Sequence, residues 1–187
     1  MKTDKHIKTH QTDIVIAGYV AGRGTAVIAD KKHDELCGIF SEPYVNKAAA
    51  IMDYVPSDKI ISTASSCEAE YVFSFGKGGI FSGLWEMAEE LKCGMSIELR
   101  KIPIKQETIE LCEVYKLNPY YLDSAGAIAI ITKDGRAMEE MLLTKGIPAA
   151  YVGTINDGND RIITNEGEVS YLNRPQEDEI CRFLAEC

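Results

Sequence analysis

Three features of this 187-residue chain predict an α+β fold built on a mixed sheet. Short apolar runs alternate with helical periodicities in an irregular order, unlike the regular strand–helix alternation of a doubly wound sheet. Residues 79–92 carry a strong amphipathic stripe. Near the C-terminus, two strand-like runs flank Asn165-Glu166-Gly167, a hairpin signal.

The elements follow in order. Residues 1–12 are polar and read as a flexible leader, with residues 13–187 as a single domain. His6 and His10 lie four apart in that leader, and a mobile tail accounts for them better than a metal site does. Asp13–Gly18 (DIVIAG) is a buried strand, followed by a loop containing Gly18, Gly22 and Gly24 and by a helix over 25–36. The dinucleotide fingerprint fails there, because its third glycine would fall at Val27. Pro43 opens a helix over 43–54, with Ser41 or Glu42 near its cap. After VPSDK, Lys59–Thr63 reads as a strand, 64–70 as a short helical or irregular piece, and Tyr71–Phe75 as a strand.

The helix over 79–92 is the clearest element. Ile80, Leu84, Met87 and Leu91 form one stripe, Phe81, Trp85 and Ala88 widen it, and Cys93-Gly94 supplies a glycine stop. Residues 95–100 alternate as a strand, 105–115 form a helix, and 116–124 form a turn with a short helical piece. AIAIIT at 127–132 is a buried strand, 136–145 a helix capped by Lys145-Gly146, and 149–155 a strand. The hairpin strands lie at 160–164 and 168–172, and the last helix runs over 176–185.

Composition restricts the function. A formal charge of −9 argues against a nucleic-acid partner. No apolar run reaches membrane-spanning length and the N-terminus lacks an apolar signal core, so a cytoplasmic protein with no membrane partner is expected. The cysteines at 37, 67, 93, 112, 181 and 187 include no Cys-x-x-Cys pair and read as reduced thiols, with no metal site among them. His33 sits in the charged stretch KKHDE and reads as a surface residue. No Gly-x-Ser-x-Gly or His-Glu-x-x-His occurs. NDGND at 156–160 suits a turn better than a calcium loop, and Asp123 suits a cap.

The strongest candidate site is Gly76-Lys77-Gly78-Gly79, where a strand runs through a glycine turn into a helix. Free N–H groups and the helix dipole make such a position an anion site. The Walker pattern is absent, since no Ser or Thr follows Lys77 and Tyr71 stands where the first glycine would be.

Four stretches carry a family resemblance: TDIVIAGYVAGRGTAVIAD at 12–30, GKGGIFSGLWEMAE at 76–89, residues 97–132 from IELRKIPIK to AIAIIT, and GIPAAYVGTIND at 146–157 followed by RPQEDEI at 174–180. Together they resemble the C-terminal domain of the aminoimidazole ribonucleotide (AIR) synthetase superfamily, nearest to its hydrogenase maturation type. The resemblance implies a three-layer α/β/α arrangement and a homodimer or higher oligomer. Full-length members carry the ATP-binding and metal-binding acidic residues in an N-terminal half, so ATP and magnesium are expected only with a partner domain.

The resemblance therefore implies a stand-alone binding or accessory module that self-associates and takes a phosphate-bearing ligand at Gly76, Lys77, Gly78 and Gly79. The alternative is one half of a split ATP-dependent synthetase or carbamoyl-dehydrating enzyme, completed by a separately encoded N-terminal partner. The family turn Asp-Pro-Thr-x-Gly-Gly is reduced here to Gly78-Gly79, behind Ser74, Phe75, Gly76 and Lys77. Hydrogenase maturation factors end in Pro-Arg-Ile-Cys with a reactive thiol, and Cys187 is the matching candidate in a different terminal context.

Overall fold

The computed structural model describes residues 12–53 and 56–185. His6, His10, Cys187 and the leader lie outside the described residues, apart from Thr12, which opens the first strand.

Seven strands form one sheet: β1 (Thr12–Ala17), β2 (Tyr71–Ser74), β3 (Gly94–Glu98), β4 (Ile128–Thr132), β5 (Ala149–Asn156), β6 (Arg161–Asn165) and β7 (Glu168–Tyr171). Their order is β2-β4-β1-β5-β3-β6-β7. All neighbours are antiparallel except β3 and β6, which pair in parallel, so the sheet is mixed as expected. A bulge between β1 and β5 puts Ile14 opposite Gly153 but Val15 opposite Tyr151, leaving Val152 as the extra residue.

Helices cover both faces. On one face α1 (Gly22–Lys31), α3 (Glu42–Ala49), α5 (Gly79–Leu91), α6 (Gln106–Val114) and α8 (Glu179–Ala185) pack over Ile14, Ile16, Ala129 and Ile131. On the other, α4 (Ser57–Ser66) and α7 (Gly135–Thr144) cover Val15, Ala17, Ile128 and Ile130. This gives the expected three layers. It also explains why β1 and β4 read as continuous apolar runs, because a strand buried on both faces has no polar side.

Four local expectations are corrected. Lys59–Thr63 belongs to α4 and is not a strand. Ile60 and Ala64, four apart, are buried against Val15, Ile128 and Ile130, and that helical spacing outweighs the β-propensity of Ile-Ile-Ser-Thr. Gly22 and Gly24 lie in the first turn of α1 and not in a loop. A Cβ at Gly24 would come within 2.3 Å of Leu122 Cγ, so this glycine serves close helix packing. The helix expected over 25–36 also breaks at Lys32, and α2 (His33–Cys37) is separate. Finally, α5 stops at left-handed Lys92 (φ 52°), while Gly94 starts β3. A Cβ at Gly94 would stand 2.5 Å from Asn156 Oδ1 and 2.8 Å from the Asp160 carbonyl.

The hairpin is present as read. Glu166 (φ 51°) and Gly167 (φ 88°) are both left-handed, the geometry of a two-residue type I′ turn.

Candidate functional site

The stretch FSFGKGGIF leaves the sheet at Phe75, whose N–H donates to the Ala127 carbonyl at 3.0 Å. The Gly76 carbonyl accepts from the Ser124 N–H at 3.0 Å and from the Gly79 N–H at 3.3 Å, closing the turn. Gly78 (φ 79°) and Gly79 (φ 71°) are both left-handed, a conformation only glycine adopts without strain. Gly79 is also crowded, since a Cβ there would lie 2.4 Å from the Tyr120 carbonyl oxygen and 2.7 Å from two Tyr121 backbone atoms. Phe81 fastens the next turn of α5 by stacking on Tyr120 at 4.9 Å and meeting Tyr121 edge-on at 5.3 Å. Gly76 has neither constraint.

An anion does meet the glycine turn, and the chain itself supplies it. The Gly78 N–H donates to Asp178 Oδ2 at 2.8 Å. Asp178 Oδ1 accepts from the Asp123 N–H at 3.2 Å and from the Ile180 N–H at 2.9 Å. Asp178 is buried, and its carboxylate joins the start of α5, the turn before β4 and the start of α8. Charge-assisted bonds to backbone N–H groups at a helix start are among the stronger neutral–ionic contacts. Asp123 caps its own turn as expected, accepting from the Ala125 N–H at 2.9 Å. Lys77 is exposed and forms no ion pair among the described residues.

Gly76, Lys77, Gly78 and Gly79 are thus contiguous at one helix start, with Asp123 and Asp178 added by the fold. Asp178 escaped the sequence reading. Its signal was present in RPQEDEI, where an Asp just before a helix is a preferred cap, but the contact to Gly78 spans 100 positions.

His33 lies at the surface, as expected, and is hydrogen-bonded there. Its Nε2 lies 3.0 Å from Asn46 Oδ1 and its Nδ1 lies 3.5 Å from Asp34 Oδ1. The bond to Asn46, followed by the bond to Asp34, raises the imidazole pKa, because only the protonated ring donates to both oxygens. The five described cysteines are unpaired. Among the described residues no helix is long and apolar enough to cross a membrane, and no group of three or more His, Cys, Asp or Glu could hold a metal ion.

The three-layer mixed sheet is an α+β fold like that of HypE and the AIR synthetase C-terminal domain. Solved structures carry that statement. The chain is similar to HypE in a HypE–HypF complex (TM-score 0.72, 19% identity, 91% of this chain and 55% of that one). It is similar to E. coli HypE, a hydrogenase maturation protein (TM-score 0.71, 18% identity, 97% of this chain and 56% of that one). It is also similar to thiamine-monophosphate kinase from Stenotrophomonas maltophilia K279a (TM-score 0.61, 15% identity, 86% of this chain and 51% of that one).

In sequence, the particular likeness is to carbamoyl dehydratase HypE. The Rhodobacter capsulatus protein is 31% identical over 72 residues, which is 38% of this chain and 21% of that protein. The Rhizobium leguminosarum bv. viciae protein is 26% identical over 123 residues, 65% of this chain and 33% of that protein. No family model matches the chain. The chain spans one fifth to one third of these curated relatives and about half of the solved HypE chains.

Proposed function

We propose that this chain is the C-terminal-type module of a HypE-related, ATP-dependent system, forming one wall of a cleft and binding a phosphate-bearing ligand at Gly76–Gly79. The opposite wall, with the nucleotide-binding residues, is supplied by an N-terminal-type half. Alone, the module binds without turning over ATP. The supporting observation is the left-handed Gly78-Gly79 turn opening a 13-residue helix, with a backbone N–H already engaged by a carboxylate. An N–H that holds one oxyanion can hold another, and exposed Lys77 adds a cation beside it.

Titration with inorganic phosphate tests the ligand reading. Lys77→Ala should weaken binding by about 1.5–3 kcal/mol, the worth of a hydrogen bond to a charged group. Equal affinity in the two proteins would refute it. Self-association is proposed through the edge strand β7, where Val169 and Tyr171 are exposed beside an open backbone edge. Sedimentation showing only monomer at high concentration would remove that part.

A further inference from the structure

We infer that the start of α5 is an oxyanion site stoppered by the chain's own Asp178, and that residues 173–178 form a strap that yields when a phosphate-type oxyanion takes the carboxylate's place. The inference rests on the phosphate reading of Gly76–Gly79.

Two donors of the site belong to the body of the domain and not to the strap. The Gly78 and Asp123 N–H groups come from segments 45 positions apart and converge on one carboxylate at 2.8 and 3.2 Å. The third donor, the Ile180 N–H, belongs to α8, stays with the core, and loses this acceptor when the strap moves.

Ser82 supplies the second, independent observation. It sits in the first turn of α5, is 3% exposed, and its hydroxyl has no hydrogen-bond partner. That hydroxyl faces Gly78, only 2.7 Å from where a Cβ on Gly78 would lie. A buried hydroxyl without a partner is unfavourable, and such groups call for a ligand or a role. A carboxylate has two oxygens, and both are already engaged. A tetrahedral oxyanion brings further oxygens, one for Ser82 and one toward Lys77, which is exposed and carries no ion pair among the described residues.

The strap is built to move without unfolding the helix behind it. Residues 173–177 are exposed and have no regular structure, between buried Leu172 and buried Asp178. Beyond them α8 is held separately, by buried Ile180 and by Phe183, which packs edge-on against Tyr115 at 5.2 Å. Release of Asp178 therefore moves a carboxylate into water and leaves the α8 core contacts in place.

The test uses inorganic phosphate as the probe, with calorimetry on the wild type, Asp178→Asn and Ser82→Ala, and hydrogen exchange on the wild type. Expected are at least tenfold tighter phosphate binding by Asp178→Asn, at least threefold weaker binding by Ser82→Ala, and faster exchange of residues 173–178 on adding phosphate to the wild type, with 181–185 unchanged. Phosphate binding that is equal in wild type and Asp178→Asn, with no change in strap exchange, overturns the strap and leaves the phosphate reading standing. No phosphate binding by either protein overturns both. The exchange measurement needs no variant, so it decides the matter even if Asp178→Asn folds poorly.

Discussion

Replacing Gly79 with alanine should damage this fold far more than the same change three residues earlier at Gly76. Two penalties act together at Gly79. Its φ of +71° is left-handed, which costs an L-residue about 1–2 kcal/mol. Its new Cβ would also lie 2.4 Å from the Tyr120 carbonyl oxygen and 2.7 Å from Tyr121 backbone atoms. Backbone cannot swing aside as a side chain can, so overpacking adds about 1–3 kcal/mol. The sum is about 2–5 kcal/mol, a large share of the roughly 5–15 kcal/mol typical of a domain. At about 2–4 °C per kcal/mol for a chain of this size, Tm should fall by roughly 5–20 °C.

Gly76 has an ordinary φ and nothing within 4 Å of a built Cβ. Gly76→Ala should therefore be neutral or stabilise by about 0.4–1 kcal/mol through the unfolded chain. Paired thermal and urea unfolding reads both variants. A Gly79→Ala protein within about 0.5 kcal/mol of wild type, the spread of ordinary surface changes, would show that neither penalty operates.

Other expectations concern separate parts of the molecule. Gly153→Ala would put a Cβ 1.9 Å from the Ser96 carbonyl oxygen inside the β3–β5 ladder, and should cost about 3 kcal/mol or more, read as lost soluble yield and a lowered urea midpoint. The buried Glu107 carboxylate opposes its own burial, but the bond from Lys47, its backbone contact and the charges of Lys47 and Lys105 prevail and hold its pKa below the usual value. Its stabilisation is present above the unfolded-state carboxylate pKa and is lost as pH falls through the lower folded one. Glu107→Gln should therefore unfold more easily at neutral pH, with a gap to wild type that closes in acid. His33 has a raised pKa, so its contribution is full below the unfolded imidazole pKa and disappears as pH rises through the folded one; an NMR titration should show that midpoint falling in Asn46→Ala. Arg161 lies 3.9 Å from the ring centre of Trp85, the sole tryptophan, so Arg161→Ala should uncover the indole and shift its emission to the red.

Much of the fold was legible because it is encoded locally. The stripe of Ile80, Leu84, Met87 and Leu91 set α5, and Glu166-Gly167 set the hairpin turn. The doubly buried strands β1 and β4 announced themselves as unbroken apolar runs. The expectations that failed depended on distant partners. Ile60 and Ala64 form a helix face only because Val15 and Ile130 await them, and Gly24 reads as a loop glycine until Leu122 is placed against it. At the candidate site, Gly76–Gly79 was legible as a helix-opening glycine turn. Its occupant was not, because Asp178 arrives from the far end of the chain and no local pattern joins it to Gly78.

The proposal that this module binds but does not turn over nucleotide without a second wall can be put to a single assay. ATP hydrolysis is measured with the purified chain alone and then with an N-terminal-type HypE half added. No turnover above background is expected from the chain alone, and activity should emerge only in the mixture. Sustained hydrolysis by the chain alone, unaffected by the added half, would contradict the proposal.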